Sequence, residues 1–263
     1  MAIETVDYMG IRLHKLTQGE LISKLIESVA QNQKFTFSYY GFHTANITAS
    51  SSIAAELFSS LDVLMPDGIA ILYTTWLFGV SMTSENRGNG DIIAPYLFSE
   101  AILHDWKIYL LGGAPGVAAE AAEKLQVHFT NLQIVGTHHG HLNSEEIKRD
   151  VIKDINQSEA TIVIVGMGQP IQEKWIVSNK DQVKAPVLFS VGGFFDHLCR
   201  RVDCYPPWVY KWKLNWAYRL FTEPRRLWKR YTFGVLYFGL RLFGALFVNL
   251  LTKFIKVLKR KNK

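Results

Sequence analysis

Two acidic side chains stand where a predicted buried strand passes into a helix, and each could accept a proton. Asp67 follows the apolar run DVLMP (62–66), and Glu173 follows VGMGQPIQ (165–172). A carboxylate in a cleft can act as a general base toward a hydroxyl group. An Asp before a helix is also a good N-cap, and a Glu in a first helical turn is favoured by the helix dipole. The residues alone leave both interpretations open.

Small, hydroxyl and amide residues follow the other predicted strands. HTANITAS (43–50), which contains Thr44 and Asn46, comes after the first strand, GGAPG (112–116) after the third and GGFFD (192–196) after the sixth. The ligands of a parallel sheet bind beyond the carboxyl ends of its strands. We therefore expect these segments to form the rim of one substrate cleft. Gln172 would bring to it an amide that both donates and accepts hydrogen bonds.

The elements that must position these residues alternate along the chain. Apolar runs predict strands at 35–42, 62–66, 106–113, 132–138, 160–168 and 186–193. Helical patterns lie between them at 51–61, 68–79, 91–105, 115–129, 143–158 and 170–180, of which 68–79 reads as buried and 91–105 carries Pro95 in its expected first turn. Continuous apolar strands separated by helices predict an α/β fold, with a mostly parallel sheet covered on both faces.

Three further motifs favour structural roles. GGAPGVAA is not a GxGxxG motif and no acid closes the next strand, which argues against a nicotinamide cofactor. HHGH (138–141) matches no common zinc spacing and is interpreted as a turn after a strand. Cys199 and Cys204 are most simply reduced thiols. We expect neither a metal ion nor a bound cofactor.

The charge is divided sharply along the chain. Residues 1–199 hold 13 Lys and Arg against 21 Asp and Glu, a net charge of −8, whereas residues 200–263 hold 16 against 2, a net charge of +14. The tail also has four of the seven tryptophans. We therefore expect a body of residues 1–199 and a basic, aromatic appendage of residues 200–263. Its anionic partner would be a membrane surface, a nucleic acid or a phosphorylated substrate.

The apolar stretch 232–258 narrows that choice. Spanning a bilayer takes roughly 20 apolar residues, but Arg241 interrupts this stretch and Lys253 and later basic residues follow it. The pattern favours an amphipathic helix lying in the membrane interface. A span, or a helix packed on the body or on another copy of the chain, is the alternative. A nucleic-acid-binding tail would not need the apolar surface. The N-terminus has no basic start and long apolar run, so we expect no signal peptide.

These motifs together resemble the WecG/TagA/CpsF glycosyltransferases, glycosyltransferase family 26, over nearly the whole chain. The resemblance is carried by the order and spacing of several short segments: TAN (44–46), PDG (66–68), Arg87 with GD (90–91), LGGAPG (111–116), GMGQP (166–170) with QE (172–173), GG (192–193) with FD (195–196), Trp216 with YRL (218–220), and EPRR (223–226) with RY (230–231).

The resemblance implies a Rossmann-like catalytic domain and a C-terminal appendage that docks on the cytoplasmic face of the bacterial plasma membrane. The implied reaction is an inverting transfer from a UDP-sugar to a polyprenyl-diphosphate-linked saccharide, in the synthesis of surface or extracellular polysaccharides. A nucleotide-sugar-binding membrane module without catalysis is the alternative. The donor would be UDP-glucose, UDP-N-acetylmannosamine or its uronic acid, and the sequence does not decide which of these sugars is transferred.

The resemblance also implies a role for particular side chains. Asp67 would be the general base, with Thr44 and Asn46 beside the sugar and the acceptor. Arg87 and Gln172 would lie near the donor, and Asp196 at the uracil. Arg219 and Arg226 would reach from the appendage to the diphosphate, since guanidinium groups bind phosphate oxygens bidentately. Arginines in that role would remove the need for a metal ion.

Overall fold

A computed structural model of the chain describes residues 3–200, 206–212, 214–222 and 224–261. At some of these positions only the backbone is described, namely Arg200, Pro207, Tyr210, Asn215, Trp216, Arg219, Arg226 and residues 249–261.

A six-stranded parallel sheet forms the centre of the molecule. Its strands are β3 (Phe35–Tyr40), β4 (Val63–Pro66), β5 (Lys107–Gly112), β6 (Gln133–His138), β7 (Ile162–Gly166) and β8 (Val187–Ser190), in the spatial order β4-β3-β8-β7-β5-β6. Every neighbouring pair in this sheet is parallel. The predicted α/β class with a mostly parallel, Rossmann-like sheet is confirmed.

A small antiparallel hairpin, absent from the sequence prediction, precedes this sheet. It is formed by β1 (Thr5–Tyr8) and β2 (Ile11–His14), with the turn at Met9 and Gly10. Both turn residues have positive φ angles. Alternate residues of each strand are buried, and Val6, Tyr8 and Leu13 join the core on one face of the main sheet.

Helices cover both faces of the sheet. They are α1 (Gln18–Ala30), α2 (Phe42–Ser50), α3 (Ser52–Ser59), α4 (Gly68–Thr74), α5 (Gly90–Leu103), α6 (Val117–His128), α7 (Glu145–Gln157), α8 (Ile171–Asn179) and α9 (Phe194–Arg200). Alternate strand residues pack on opposite faces, so the core has two halves. One half includes Phe37, Ile108 and Phe189, and the other includes Tyr40, Tyr109 and Leu188.

Two details of the predicted helices are wrong. The segment predicted as a buried helix at 68–79 divides into α4 and a 3₁₀ turn, Thr75–Phe78, and Tyr73 and Trp76 are exposed. Pro95 lies in the second turn of α5, because this helix begins at Gly90. The dipeptide GD is therefore part of the helix, with Asn89 as the residue whose side chain caps it.

The C-terminal segment is helical in its described parts. It contains α10 (Pro207–Lys211), α11 (Asn215–Thr222), α12 (Pro224–Tyr231) and the long α13 (Phe233–Lys261). Val209, Leu227 and Phe238 are buried. Apolar side chains of the appendage are therefore packed against other residues. The division into a domain of residues 1–199 and an appendage of residues 200–263 stays a prediction.

Helix α13 packs on α2 through one face of its first half. Arg241 donates to the backbone oxygen of Ala45 at 2.8 Å, and Asn46 donates to that of Gly234 at 2.8 Å. The ring of Phe42 contacts those of Tyr231 and Phe238. The opposite face of α13 is exposed, with Leu236, Leu240, Val235, Phe243 and Phe247 at its surface.

Among the described residues, one helical stretch is long and apolar enough to cross a membrane. It runs from Leu227, in α12, to Val248, in α13. Length and composition alone are weak evidence for a span, and Arg241 lies within the stretch with its guanidinium bonded to α2.

Candidate active site

A cleft of about 220 Å³ opens at the carboxyl edge of the sheet. It lies between the ends of β3, β4, β7 and β8 and the start of α5, where the predicted rim segments other than GGAPG (112–116) meet. Its lining combines carboxyl, imidazole, amide and guanidinium side chains with glycine backbone: Tyr39, His43, Asp67, Asn89, Gly90, Asp91, Gly168, Gln169, Val191, Gly192, Gly193, Phe194, His197 and Arg230.

Asp67 follows the last residue of β4, and its backbone N–H donates to the Tyr40 oxygen at 2.9 Å. Although it stands at the N-cap position of α4, its side chain makes no capping hydrogen bond. The carboxylate is one quarter exposed and lies 3.8 Å, Oδ1 to Nη2, from Arg87. The geometry therefore does not support the capping interpretation, and leaves the carboxylate in the wall of the cleft beside a guanidinium group.

His43 and Arg230 line another part of this cleft. His43 is in the first turn of α2, and Arg230 comes from α12, with its guanidinium carbon 5.7 Å from the centre of the Phe42 ring. Burial, with the nearby charge of Arg230 as a smaller cause, lowers the pKa of His43 to about 4. The imidazole is consequently neutral near pH 7, while Arg230 supplies positive charge. The sequence prediction gave His43 no role.

A carboxylate and an imidazole form a pair on the α5 side. His197 Nδ1 lies 3.4 Å from Asp91 Oδ1, and both side chains are nine-tenths buried. Asp91 is in the first turn of α5 and His197 is in α9. The motif GD contained the first of these residues, but nothing in the sequence indicated that a histidine over a hundred positions later would face it.

Glycines at the ends of β7 and β8 let the backbone form the floor of the cleft. Gly168 and Gly192 both have φ angles in the left-handed region, +77° and +63°. A Cβ atom on Gly192 would collide with the hydroxyl oxygen of Tyr39. Both positions therefore require glycine for conformation, and at Gly192 the close packing requires it as well.

The paired Gln172 and Glu173 lie behind this floor and are fully buried. Gln172 Oε1 accepts hydrogen bonds from Gly168 N at 3.1 Å and Gly192 N at 3.0 Å, and its Nε2 donates to Glu173 at 2.8 Å. Gln172, which was expected to lie near the donor, thus uses its amide within the protein. Glu173 accepts hydrogen bonds from Ser38, Gln169 and Gln172.

Thr44 and Asn46 also have protein partners. Thr44 is fully buried and donates to Gln169 Oε1 at 2.5 Å, while Asn46 faces α13 through its bond to Gly234. These hydrogen bonds are made within the protein, so the contact of both side chains with the sugar and the acceptor stays a prediction. Thr44 acts on the cleft through Gln169, which lines it, and Asn46 joins α2 to the appendage.

A second pocket, of about 340 Å³, shares Gly168, Gly192 and Gly193 with the first. Asp196 lines this second pocket together with Gly113 and His141, and its side chain is exposed. Gly113 belongs to the GGAPG segment that precedes α6. His141 belongs to the predicted turn, which follows β6 as expected. The side chains of Arg219 and Arg226 lie outside the described residues.

The charged groups of the cleft are not arranged as a metal site. Within the part of the chain that the structure describes, no three His, Cys, Asp or Glu side chains are grouped so as to hold a metal ion. Arg87 and Arg230 are the described guanidinium groups at or beside the first pocket.

A parallel α/β sheet with a polar, glycine-floored cleft at its carboxyl edge is the arrangement of many nucleotide-dependent transferases. The comparison with known families specifies the class. The Glycosyl transferase WecG/TagA/CpsF family matches residues 6–250, and the chain belongs to this family.

Individual relatives are named as transferases acting on lipid-linked sugars. An N-acetylglucosaminyldiphosphoundecaprenol N-acetyl-beta-D-mannosaminyltransferase of Bacillus spizizenii is 30% identical over 65% of this chain and 65% of its own length. A UDP-Gal:alpha-D-GlcNAc-diphosphoundecaprenol beta-1,4-galactosyltransferase of Shigella boydii is 31% identical over 62% of this chain and 68% of its own. A Staphylococcus aureus enzyme with the first name is 23% identical over 84% and 86%. The match thus spans just under two thirds of the Bacillus enzyme.

Proposed function

We propose that this protein transfers a hexose or N-acetylhexosamine from a UDP-sugar to a polyprenyl-diphosphate-linked N-acetylglucosamine, with inversion at the anomeric carbon. The observation that carries the proposal is the position of Asp67. Its carboxylate lies in the wall of the cleft, directly after a strand of the parallel sheet, and does not cap the helix that it precedes. Membership of the family supports the reaction class, and the names of the relatives support the acceptor.

In the proposed reaction an acceptor hydroxyl oxygen attacks the anomeric carbon of the donor. The bond from that carbon to the UDP oxygen breaks, its electron pair leaves with UDP, and the hydroxyl proton passes to Asp67. General-base catalysis of this type contributes about 10²–10⁴-fold to the rate. Arg87 is suited to holding the carboxylate in place, because its guanidinium lies 3.8 Å away and is itself largely buried.

Charge that develops on the leaving diphosphate needs a cation. Arg230 brings a permanent positive charge into the first pocket, and Arg219 and Arg226 remain candidates for the same task. Neutral His43 adds hydrogen-bonding capacity without a second positive charge beside Arg230. Asp196, in the adjoining pocket, stays the candidate for the uracil.

The acceptor is a membrane lipid, so the site must lie close to a bilayer. We propose that the exposed apolar face of α13 lies in the interface at the cytoplasmic side of the plasma membrane, where nucleotide sugars are made. The bond from Arg241 to Ala45 supports this arrangement over a span, because crossing the bilayer would require this guanidinium to leave its partner on α2. The opposite face stays free for lipid.

A donor and acceptor panel tests the proposal directly. Purified protein would be incubated with UDP-glucose, UDP-galactose, UDP-N-acetylglucosamine and UDP-N-acetylmannosamine, each with a short-chain polyprenyl-diphosphate N-acetylglucosamine. We expect one donor to give a disaccharide lipid by mass spectrometry, with inverted anomeric configuration by NMR. UDP binding without turnover on any pair would instead support the non-catalytic module.

A further inference from the structure

The carboxylate of Glu173 is the centre of a buried hydrogen-bond network that joins three strand ends. Its Oε1 accepts from Ser38 Oγ at 2.7 Å, from Gln172 Nε2 at 2.8 Å and from Gln169 Nε2 at 3.3 Å. Ser190 in turn donates to Ser38 at 2.9 Å. Among the described residues Oε2 has no hydrogen-bond partner.

The network fixes the orientation of the Gln172 amide. Oε1 acts as an acceptor here, whether the group is ionised or carries a proton on Oε2, so the group of Gln172 that faces it must be the NH₂. The carbonyl oxygen of the same amide is thereby directed at the N–H groups of Gly168 and Gly192. One side chain thus joins the turn after β7 to the turn after β8, and both of these glycines line both pockets.

The network also orients Gln169, which is itself part of the cleft wall. Its Nε2 donates to the Tyr39 oxygen at 2.7 Å and to Glu173, so its Oε1 is left to accept from Thr44. The amide therefore has a single compatible orientation, with the NH₂ toward β3 and the oxygen toward α2.

We infer that Glu173 is a positioning residue for donor binding: it orients Gln172 and Gln169 and through them holds the Gly168 and Gly192 turns in the shape that receives the nucleotide sugar. This inference rests on the proposed function, because it assumes that these pockets take the donor. Glu173 has no direct contact with the cleft and does not qualify as the catalytic base.

Replacing Glu173 by Gln separates the acceptor role from side-chain size. In one orientation the new amide would keep its oxygen in the place of Oε1 and bury an NH₂ where no described group accepts from it. In the other, its NH₂ would face the NH₂ groups of Gln172 and Gln169, and Gln172 would have to turn its oxygen away from the glycines. Either orientation leaves a buried polar group without a hydrogen-bond partner, which is unfavourable.

The test is UDP binding by calorimetry, donor kinetics and amide exchange in Glu173→Gln. We expect the Kd for UDP and the KM for the donor to rise about tenfold, with kcat at saturating donor within about threefold of wild type. Hydrogen exchange should become faster in peptides covering 166–172 and 190–194. It should stay unchanged in peptides from the strands that do not lead into these two turns. A purely structural role would instead lower thermal stability without this local pattern.

Asp154→Asn is the matched control. Asp154, on α7, accepts from the Tyr109 hydroxyl at 2.5 Å and lines neither pocket. It should lose stability while keeping the wild-type Kd for UDP. Should Glu173→Gln fail to fold, Ser38→Ala removes one donor from the network, and we expect it to raise the Kd for UDP about threefold.

The outcomes are distinguishable. Wild-type affinity for UDP in folded Glu173→Gln, or in Ser38→Ala where the first variant does not fold, would overturn the inference and leave the proposed function intact. A wild-type protein that does not bind UDP would overturn the proposed function and the inference together. A loss of kcat with unchanged UDP affinity would also overturn the inference, since it would assign Glu173 to the chemical step.

Discussion

The carboxylate of Asp67 and the guanidinium of Arg87 approach within 3.8 Å in a cleft wall where neither group is fully exposed. Asp67 comes directly after β4, and the chain returns to it twenty residues later, where Gly88 N donates to the Pro66 oxygen at 3.0 Å. The backbone bond places Arg87 beside the end of the strand. The ion pair thus depends on the 3₁₀ turn Ser84–Asn86 that leads into Arg87.

Asp67→Asn should abolish transfer and leave UDP binding nearly unchanged. The amide keeps the size of the side chain but cannot take the proton from the acceptor, so we expect a rate loss of about 10²–10⁴-fold. Rates would be measured by release of UDP. Asp62→Asn is the control. Asp62 directly precedes β4, at the end of the strand away from the cleft, and its carboxylate accepts hydrogen bonds from Thr36. A mutant that keeps more than about a third of the wild-type rate would show that Asp67 is not the base.

Transfer should continue in excess EDTA. The described residues contain no three-ligand metal cluster, and Arg230 brings a cation into the cleft. The initial rate would be compared in untreated protein, in protein dialysed against EDTA, and after return of Mg²⁺ or Mn²⁺. Loss of activity that either metal restores would contradict the metal-independent mechanism.

Polar substitutions on the exposed face of α13 should weaken membrane binding while the protein stays folded. One variant would carry four substitutions on this face: Leu236→Gln, Leu240→Gln, Phe243→Gln and Phe247→Gln. All four native side chains are largely exposed. Their loss should reduce binding to anionic vesicles at least about tenfold, since each removes apolar area from the lipid contact. Leu103→Gln with Val127→Gln is the matched control, because these exposed apolar side chains lie on the body. Unchanged vesicle binding by the α13 variant would contradict the interfacial arrangement.

Arg241→Met distinguishes a docked helix from a span. If α13 lies on α2, the substitution removes the bond to Ala45 and the contact of the guanidinium with the Tyr237 ring, and we expect a loss of about 1–3 kcal/mol in unfolding free energy. If α13 crossed the bilayer, removing the charge would instead favour insertion. Urea unfolding in detergent and extraction by carbonate would be measured together. Undiminished stability with complete resistance to carbonate would contradict docking.

Glu173 should make stability fall with rising pH. Burial raises its pKa from 4.5 to about 7 in the folded protein. Between these values the folded state holds a proton that the unfolded state releases, so the contribution of this group to stability decreases as pH rises and is constant above about pH 7. Glu173→Gln does not titrate there. Urea unfolding at pH 5 and pH 8 should show wild type losing stability relative to the variant, and an equal difference at both pH values would contradict the shift.

The sequence by itself determined the class of fold and the edge at which the site lies. Apolar runs alternating with helical patterns require a parallel sheet buried on both faces, and the polar and glycine segments after these runs must then meet at the carboxyl edge. Asp67 was identifiable because it directly follows a strand. The basic appendage and its apolar stretch were likewise visible, since composition is a property of the chain alone.

Only the tertiary structure decided which of those rim residues face the cleft. Thr44, Gln172 and Glu173 lie in rim motifs, yet their side chains are buried and hydrogen-bonded within the protein, Thr44 to Gln169 and Gln172 to Glu173. The direction of a side chain at a strand-to-helix turn depends on φ angles and on the packing of the next element, which spacing does not encode. His43 and His197 line the cleft although no motif singled them out. The sequence also did not indicate the bonds that Asn46 and Arg241 make between α2 and α13 across nearly two hundred positions, because long-range pairing follows from the packing of helices rather than from local pattern.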